Sequence, residues 1–202
     1  WHFADLKWYL GHVKSQGGVI GQWELGSDYN RNSYKLNTSI PFGLKIIIWF
    51  IGGPFDEKGN IDPKHRFYHL VQIGQEMQNL YPELCKFGMP EAVYSTPTVK
   101  TQEDKDKSKD VPWGLAPFPS NHWMQVEAGE AVVGFFKYPD GNDAVYGANH
   151  NAFAPQKMIL AMAGDKTEKA AVEILDRETG KWKELKKDGG KVAFDLRAGL
   201  PD

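Results

Sequence analysis

The sequence predicts an α/β part followed by an all-β part, and three observations carry that prediction. The first 85 residues alternate helical and strand periodicities, residues 95–119 lose both, and the remainder shows short β-rich runs separated by turn signals. Size and composition fit two packed units. The chain has 202 residues, 41% of them hydrophobic, which is enough apolar material for a folded core.

The elements follow in order. Phe3, Leu6, Leu10 and Val13 recur at helical spacing, and Gln16-Gly17-Gly18 stops that helix. Val19 to Leu25 reads as a short buried strand. Asp28 or Asn30 can cap a second helix by accepting from its free N–H groups, with Leu36 and Ile40 on the inner face up to Pro41 and Gly43. Leu44 to Phe50 is a nearly unbroken apolar run, the pattern of a strand covered on both faces in a parallel sheet. Asp62-Pro63 reads as a cap with proline at the first helical position, followed by Phe67, Leu70, Val71, Gly74, Met77 and Leu80 along one face. Two neighbouring parallel strands need a right-handed crossover, so the order helix, strand, helix, strand, helix predicts repeated βα units.

Residues 87–119 are expected to be a linker. Pro97, Pro112, Pro117 and Pro119 surround the charged stretch 102–110, which has little to bury. Beyond it, β-rich runs stand at Trp123–Val126, Ala131–Tyr138, Ala144–Asn149, Lys157–Ala163, Ala171–Asp176, Trp182–Leu185 and Val192–Leu196. Turn signals such as Pro139-Asp140-Gly141-Asn142 and Asp188-Gly189-Gly190 separate them, which predicts an antiparallel β-sandwich over 120–202.

Charge and composition exclude several classes. A formal charge of −2, from 24 basic and 26 acidic residues spread along the chain, gives no electrostatic footprint for nucleic acid or an anionic membrane. The longest apolar run, Leu44 to Ile51 broken by Lys45, is far shorter than the roughly 20 residues of a bilayer span. Cys85 is the sole cysteine, so no internal disulfide forms, and it has no neighbouring base in sequence to make it a catalytic thiol. His65 and His69 are four apart without a third ligand; Asp56, Glu57 and Asp62 do not match the spacing of a calcium loop; and Gly52-Gly53 forms no phosphate cradle. No metal or cofactor is expected. The chain opens at Trp1 inside an amphipathic pattern, so a targeting segment would lie upstream.

A resemblance joins these elements. The run Arg31 to Phe50 resembles the seventh helix and eighth strand of clan A glycoside hydrolases, nearest in style to family 42 β-galactosidases and related bacterial barrel proteins. An arginine opens the helix there, and a glycine precedes a strand ending in an aromatic pair. Residues 62–84, ending Leu80-Tyr-Pro-Glu-Leu84, resemble the last barrel helix, and Val132 to Asn142 with Ala148-Asn-His-Asn151 resembles the first hairpin of the sandwich that follows. The resemblance implies that residues 1–86 are the last two strands and three helices of a (β/α)8 barrel, with an accessory sandwich, in a carbohydrate-active protein. It implies secretion or a periplasmic location rather than the cytoplasm.

On that resemblance Val19 to Leu25 is the seventh strand, whose C-terminal end faces the active site. Retaining glycosidases need two carboxyl groups about 5–5.5 Å apart. Glu24 stands where the family carries its nucleophile, while the acid/base belongs to the fourth strand, which is not in this chain. Trp49, ending the eighth strand, takes the place of the aromatic floor under the sugar, whose C–H faces stack on such rings. Asp28, Tyr29 and Arg31 follow Glu24 on the same face, and Asp56 lies in the loop after the eighth strand; all four are expected to contact an oligosaccharide or polysaccharide. Arg31 would hold the nucleophilic carboxylate in place. Each has a plainer reading: Glu24 orients the loop before Asp28, Trp49 is core, and the sandwich, with Asn149-His150-Asn151 and Trp182, is structural support. The competing function is a non-catalytic carbohydrate-binding or scaffolding protein built on the same barrel. Two strands cannot close an eight-stranded barrel, so Ile46 to Ile48 would need a partner, either another copy of the chain or the rest of the barrel.

Overall fold

The structure, a computed structural model, describes residues 2–25, 28–50, 55–97, 111–112, 114–164 and 170–197; the charged stretch 102–110 and Gly52-Gly53 lie outside the described residues. It is a mixed α/β protein with more strands than helices and several antiparallel sheets.

Helix α1, His2–Gln16, buries Phe3, Leu6 and Leu10, the spacing read from the sequence. It ends where Gly17 N–H reaches the Val13 carbonyl at 2.8 Å, with Gly17 and Gly18 at φ of 78° and 108°. Strand β1, Ile20–Leu25, and strand β2, Leu44–Phe50, pair in parallel. Between them run helix α2, Tyr29–Ser39, and a 3-10 turn, Ile40–Phe42, closed by Gly43 at φ 86°. A side chain at Gly43 would be strained by that φ and would also stand 3.0 Å from Pro90.

Only one face of β2 is covered, which corrects the expectation of a strand buried on both. Leu44 and Ile47 reach the core, but Ile46 is 46% and Ile48 43% exposed. The helices pack on a single side: Lys45 Nζ donates to the carbonyl of Leu84 (2.6 Å), the last residue of the third helix, His69–Leu84, and to that of Phe87 (3.0 Å) just beyond it. Among the described residues β1 and β2 form a two-stranded sheet, and no closed barrel is present.

Helix α3, His69–Leu84, begins later than Asp62-Pro63 predicts. Local bonds turn the chain before it can become helical. Asp62 Oδ1 accepts from Lys64 N–H (2.9 Å), His65 Nδ1 accepts from Phe67 N–H (3.2 Å), and three-residue turns link 62 to 65 and 65 to 68. The inner face also differs from the predicted one. Ile73, Leu80 and Leu84 are buried with Leu70 and Met77 against them, whereas Gly74 is exposed.

The span 87–119, expected to be linker, contains a strand. Phe87 and Pro90 are buried, and β3, Ala92–Ser95, pairs antiparallel with β5, Ala131–Lys137. With β6, Asp143–Asn149, they form the sheet β3-β5-β6. A second sheet, β10-β7-β4, joins Lys191–Leu196, Gln156–Met162 and Met124–Ala128. The remaining strands, β8 (Glu173–Leu175) and β9 (Trp182–Glu184), pair only with each other.

Strand β5 organises the interior because both of its faces are buried. Ala131, Val133 and Phe135 meet Met124, Met158, Leu160 and Val192 from the other sheet. Val132 and Phe136 point the opposite way, into the core shared with Leu6, Leu36, Phe42, Leu80 and Phe87. One strand therefore serves two cores. Buried aliphatic and aromatic side chains of this kind each contribute roughly 1.5–3 kcal/mol, so the helical and two-sheet parts are held together by apolar contact and not only by a tether.

Candidate functional site at the ends of the parallel strands

The pairing of β1 with β2 places the Cα of Glu24 opposite that of Trp49, one residue from the carboxyl end of each strand. The side chain of Glu24 lies outside the described residues; Trp49 is half-buried. Strand alternation fixes the sides. Gln22 Oε1 lies 2.9 Å from Ser39 Oγ on α2, and its pairing partner Ile47 packs against the helix-side core, so Trp49, two residues on, shares that face of β2.

Past β1, Asp28 caps α2. Its extended backbone (φ −71°, ψ 164°) lets Oδ1 accept from Arg31 N–H at 3.0 Å, while Oδ2 lies 3.3 Å from Arg31 Nε. Both side chains are largely exposed. Arg31 therefore pairs with Asp28 here, the residue that also starts its helix.

Tyr29 turns inward. Its hydroxyl donates to Glu76 Oε1 on α3 at 3.3 Å, and its ring meets His69 edge-on with centroids 6.0 Å apart. Burial, reinforced by the Glu76 carboxylate, pushes the phenol up to about 12, so it stays a donor at any physiological pH. His69 is held below the usual histidine range by burial, and Asn32 Nδ2 lies 2.8 Å from its Nε2. Glu76 is shared: Arg177, from the turn between β8 and β9, places Nη2 3.6 Å from Oε2 and also donates to Asn37 Oδ1 at 2.8 Å.

Asp56 stands apart from this group. It accepts from the backbone N–H groups of Lys58 (2.9 Å) and Asn60 (2.8 Å) and from Asn60 Nδ2 (3.2 Å), all within its own turn. Those bonds, led by Asn60, hold its carboxyl below the ordinary aspartate value. Among the described residues no group of three or more His, Cys, Asp or Glu side chains could hold a metal ion.

The structure thus joins Asp28 with Arg31, and links Tyr29 to His69, which the sequence offers only as half of a two-histidine pair, and to Asn32, Glu76 and Arg177, which no sequence motif marks. Glu76 carried a usable signal: with Asn79 and Glu83 it makes a polar stripe at spacings of three and four along α3. Arg177 carried none, since its partner Asn37 is 140 residues away. Chemically, the exposed carboxylate and guanidinium at the strand end can hydrogen-bond hydroxyls, while the Tyr29–Glu76–Arg177 network is internally satisfied at the carboxylate. Comparisons with protein-family models, with curated proteins and with solved structures each find no match to this chain.

Proposed function

We propose that this chain is the closing portion of a clan A, family 42-like (β/α)8 barrel with its accessory β-sandwich, and that the whole acts as a retaining glycoside hydrolase. One observation carries the reading. Two parallel strands joined by a helical crossover hold Glu24 opposite Trp49 at their carboxyl ends, with Asp28 and Arg31 on the connection that follows β1. In that arrangement Glu24 attacks the anomeric carbon, the Trp49 ring supports the sugar, and a carboxyl group from the fourth strand protonates the leaving oxygen.

The test uses the full-length polypeptide on 4-nitrophenyl glycosides. Glu24→Ala is expected to lose turnover roughly a thousandfold or more, and added azide, attacking the now unobstructed anomeric carbon, should restore turnover as glycosyl azide. Unchanged turnover in Glu24→Ala removes that residue from the mechanism.

A second reading, a non-catalytic carbohydrate-binding or scaffolding protein, is favoured by the packing of Ile47 on the helix-side core, which gives Trp49, two residues on, the same face of β2. It calls for saturable binding of oligosaccharides in titration with no hydrolysis of any of them by the native protein.

A further inference from the structure

We propose that the β8–β9 hairpin is a detachable strap that fastens the two-sheet part onto α3 and, through Arg177, sets the first turn of α2. This holds whatever the strand ends act on.

The hairpin completes neither three-stranded sheet, and all three residues of β9 are exposed. Its turn is built from its own residues. Asp176 Oδ1 accepts from the N–H groups of Glu178 and Thr179, both at 2.9 Å; Asp176 N–H reaches Lys181 O at 2.9 Å; and Gly180 N–H reaches Asp176 O at 2.8 Å. The unit is therefore preformed and can dock or leave without unravelling.

What it docks on is the polar stripe of α3. Arg177 meets Glu76. Asn79 Nδ2 donates to the carbonyls of Arg177 (3.0 Å) and Glu178 (2.7 Å). Glu83, whose carboxyl is held below the ordinary glutamate value first by Lys86 and also by Tyr138, receives a further, smaller contribution from Trp182. The three acceptors and donors stand at i, i+3 and i+7, one line along the helix. Gly180 fits against that line: a β-carbon there would stand 3.0 Å from Asn79 O. Apolar contact is modest, with Leu175 touching the helix-side core and Val172 and Leu185 the core between the sheets. In the docked state Arg177 Nε is buried with no hydrogen-bond partner, which weakens the fastening and keeps undocking accessible.

Coupling to α2 comes through shared groups. Glu76 takes Tyr29 on one oxygen and Arg177 on the other, and Asn37 Oδ1 takes both Arg177 and the Tyr146 hydroxyl (2.9 Å). When the strap leaves, Glu76 loses the cation that holds it in line for Tyr29, and Tyr29 is the first residue of α2, next to Asp28.

Amide hydrogen exchange on the full chain tests this, comparing the native protein with Arg177→Met and Asn79→Ala. Lys191→Ala, which removes a surface ion pair with Glu127 elsewhere, is the control. Both test variants are expected to speed exchange roughly tenfold over 173–184 and several-fold over 29–33, with β4 and β7 unchanged. Acceleration confined to the hairpin overturns the coupling. No acceleration in either variant, or a uniform rise across the chain, overturns the strap. If Arg177→Met does not fold, Asn79→Ala decides, because it removes only the two carbonyl contacts.

Discussion

Gly134 lies directly against Pro41: a β-carbon on Gly134 would stand 2.5 Å from the Pro41 carbonyl oxygen and 2.7 Å from its Cα. This is the point where β5 crosses the 3-10 turn leading into β2, and only a residue without a side chain lets the two backbones approach so closely. Both contacts are with backbone, which cannot swing away. Gly134→Ala is expected to destabilise the protein by about 2 kcal/mol, within the range for overpacking a core. Gly147 on β6 is the matched control, since its nearest neighbour would be 4.0 Å away. Urea midpoints should drop for Gly134→Ala and stay near native for Gly147→Ala. Equal effects would show that the junction is not tightly packed.

His150 makes the fold sensitive to acid. Its Nε2 lies 2.8 Å from Ser95 Oγ, and because the Ser95 hydroxyl donates to Thr96 O at 2.7 Å, the imidazole must be the donor to Ser95. Burial lowers its pKa from 6.5 to about 4. Between those values the unfolded chain binds a proton that the native chain does not, so stability falls as pH drops from 6.5 towards 4, by roughly 3 kcal/mol in full. His2, on the other side of Phe3, is likewise lowered to about 4, chiefly by burial and then by Lys35. His150→Gln is expected to be less stable at pH 7 but to lose less on acidification to pH 4.5. Parallel stability curves for the two proteins would exclude His150 as a source of the slope.

The locally encoded elements were legible. α1, α2, β1, β2 and the seven later strands follow from apolar period and from turn residues such as Gly17 and Gly141, because those signals act within a few residues. β3 was not legible: Ala92–Ser95 is four residues long and exists because β5, some forty residues later, supplies its partner groups. The start of α3 was misplaced because Asp62 and His65 bond to nearby backbone, a competition that hydrophobic spacing does not report. At the site, the Asp28 cap could be read from one residue and its position. The partners of Tyr29 could not, since Glu76 and Arg177 reach it from α3 and from a hairpin in the other part of the chain.

Asp28 has a structural duty that any binding role must be separated from. As the N-cap of α2 it satisfies the Arg31 N–H, and Asp28→Ala should cost about 1 kcal/mol for that reason alone. Its ion pair with Arg31 adds little, because exposed pairs are typically worth under about 1 kcal/mol. Asp28→Ser keeps a capping oxygen and should melt near the native temperature, while Asp28→Ala melts lower. Should Asp28→Ser nevertheless lose oligosaccharide affinity, the carboxylate contacts ligand; equal affinity in Asp28→Ser and the native protein would leave it with the cap alone.

The exposed face of β2 separates a partial barrel from a self-sufficient layer. Ile46 and Ile48 are over two-fifths exposed, on the side of the sheet away from the helices. In the 202-residue chain, replacing both by Thr removes apolar surface that is already nearly half in water, so stability should change by no more than about 1 kcal/mol for the pair, and sedimentation should show less self-association. Were the chain to close a barrel as proposed, these same side chains would point into the packed interior, where each would contribute roughly 1.5–3 kcal/mol. On that proposal, Ile46→Thr/Ile48→Thr in a polypeptide that carries the whole barrel is expected to melt well below its native counterpart. If such a polypeptide tolerates the double substitution as readily as the 202-residue chain, no strands pack over Ile46 and Ile48, and the barrel reading fails.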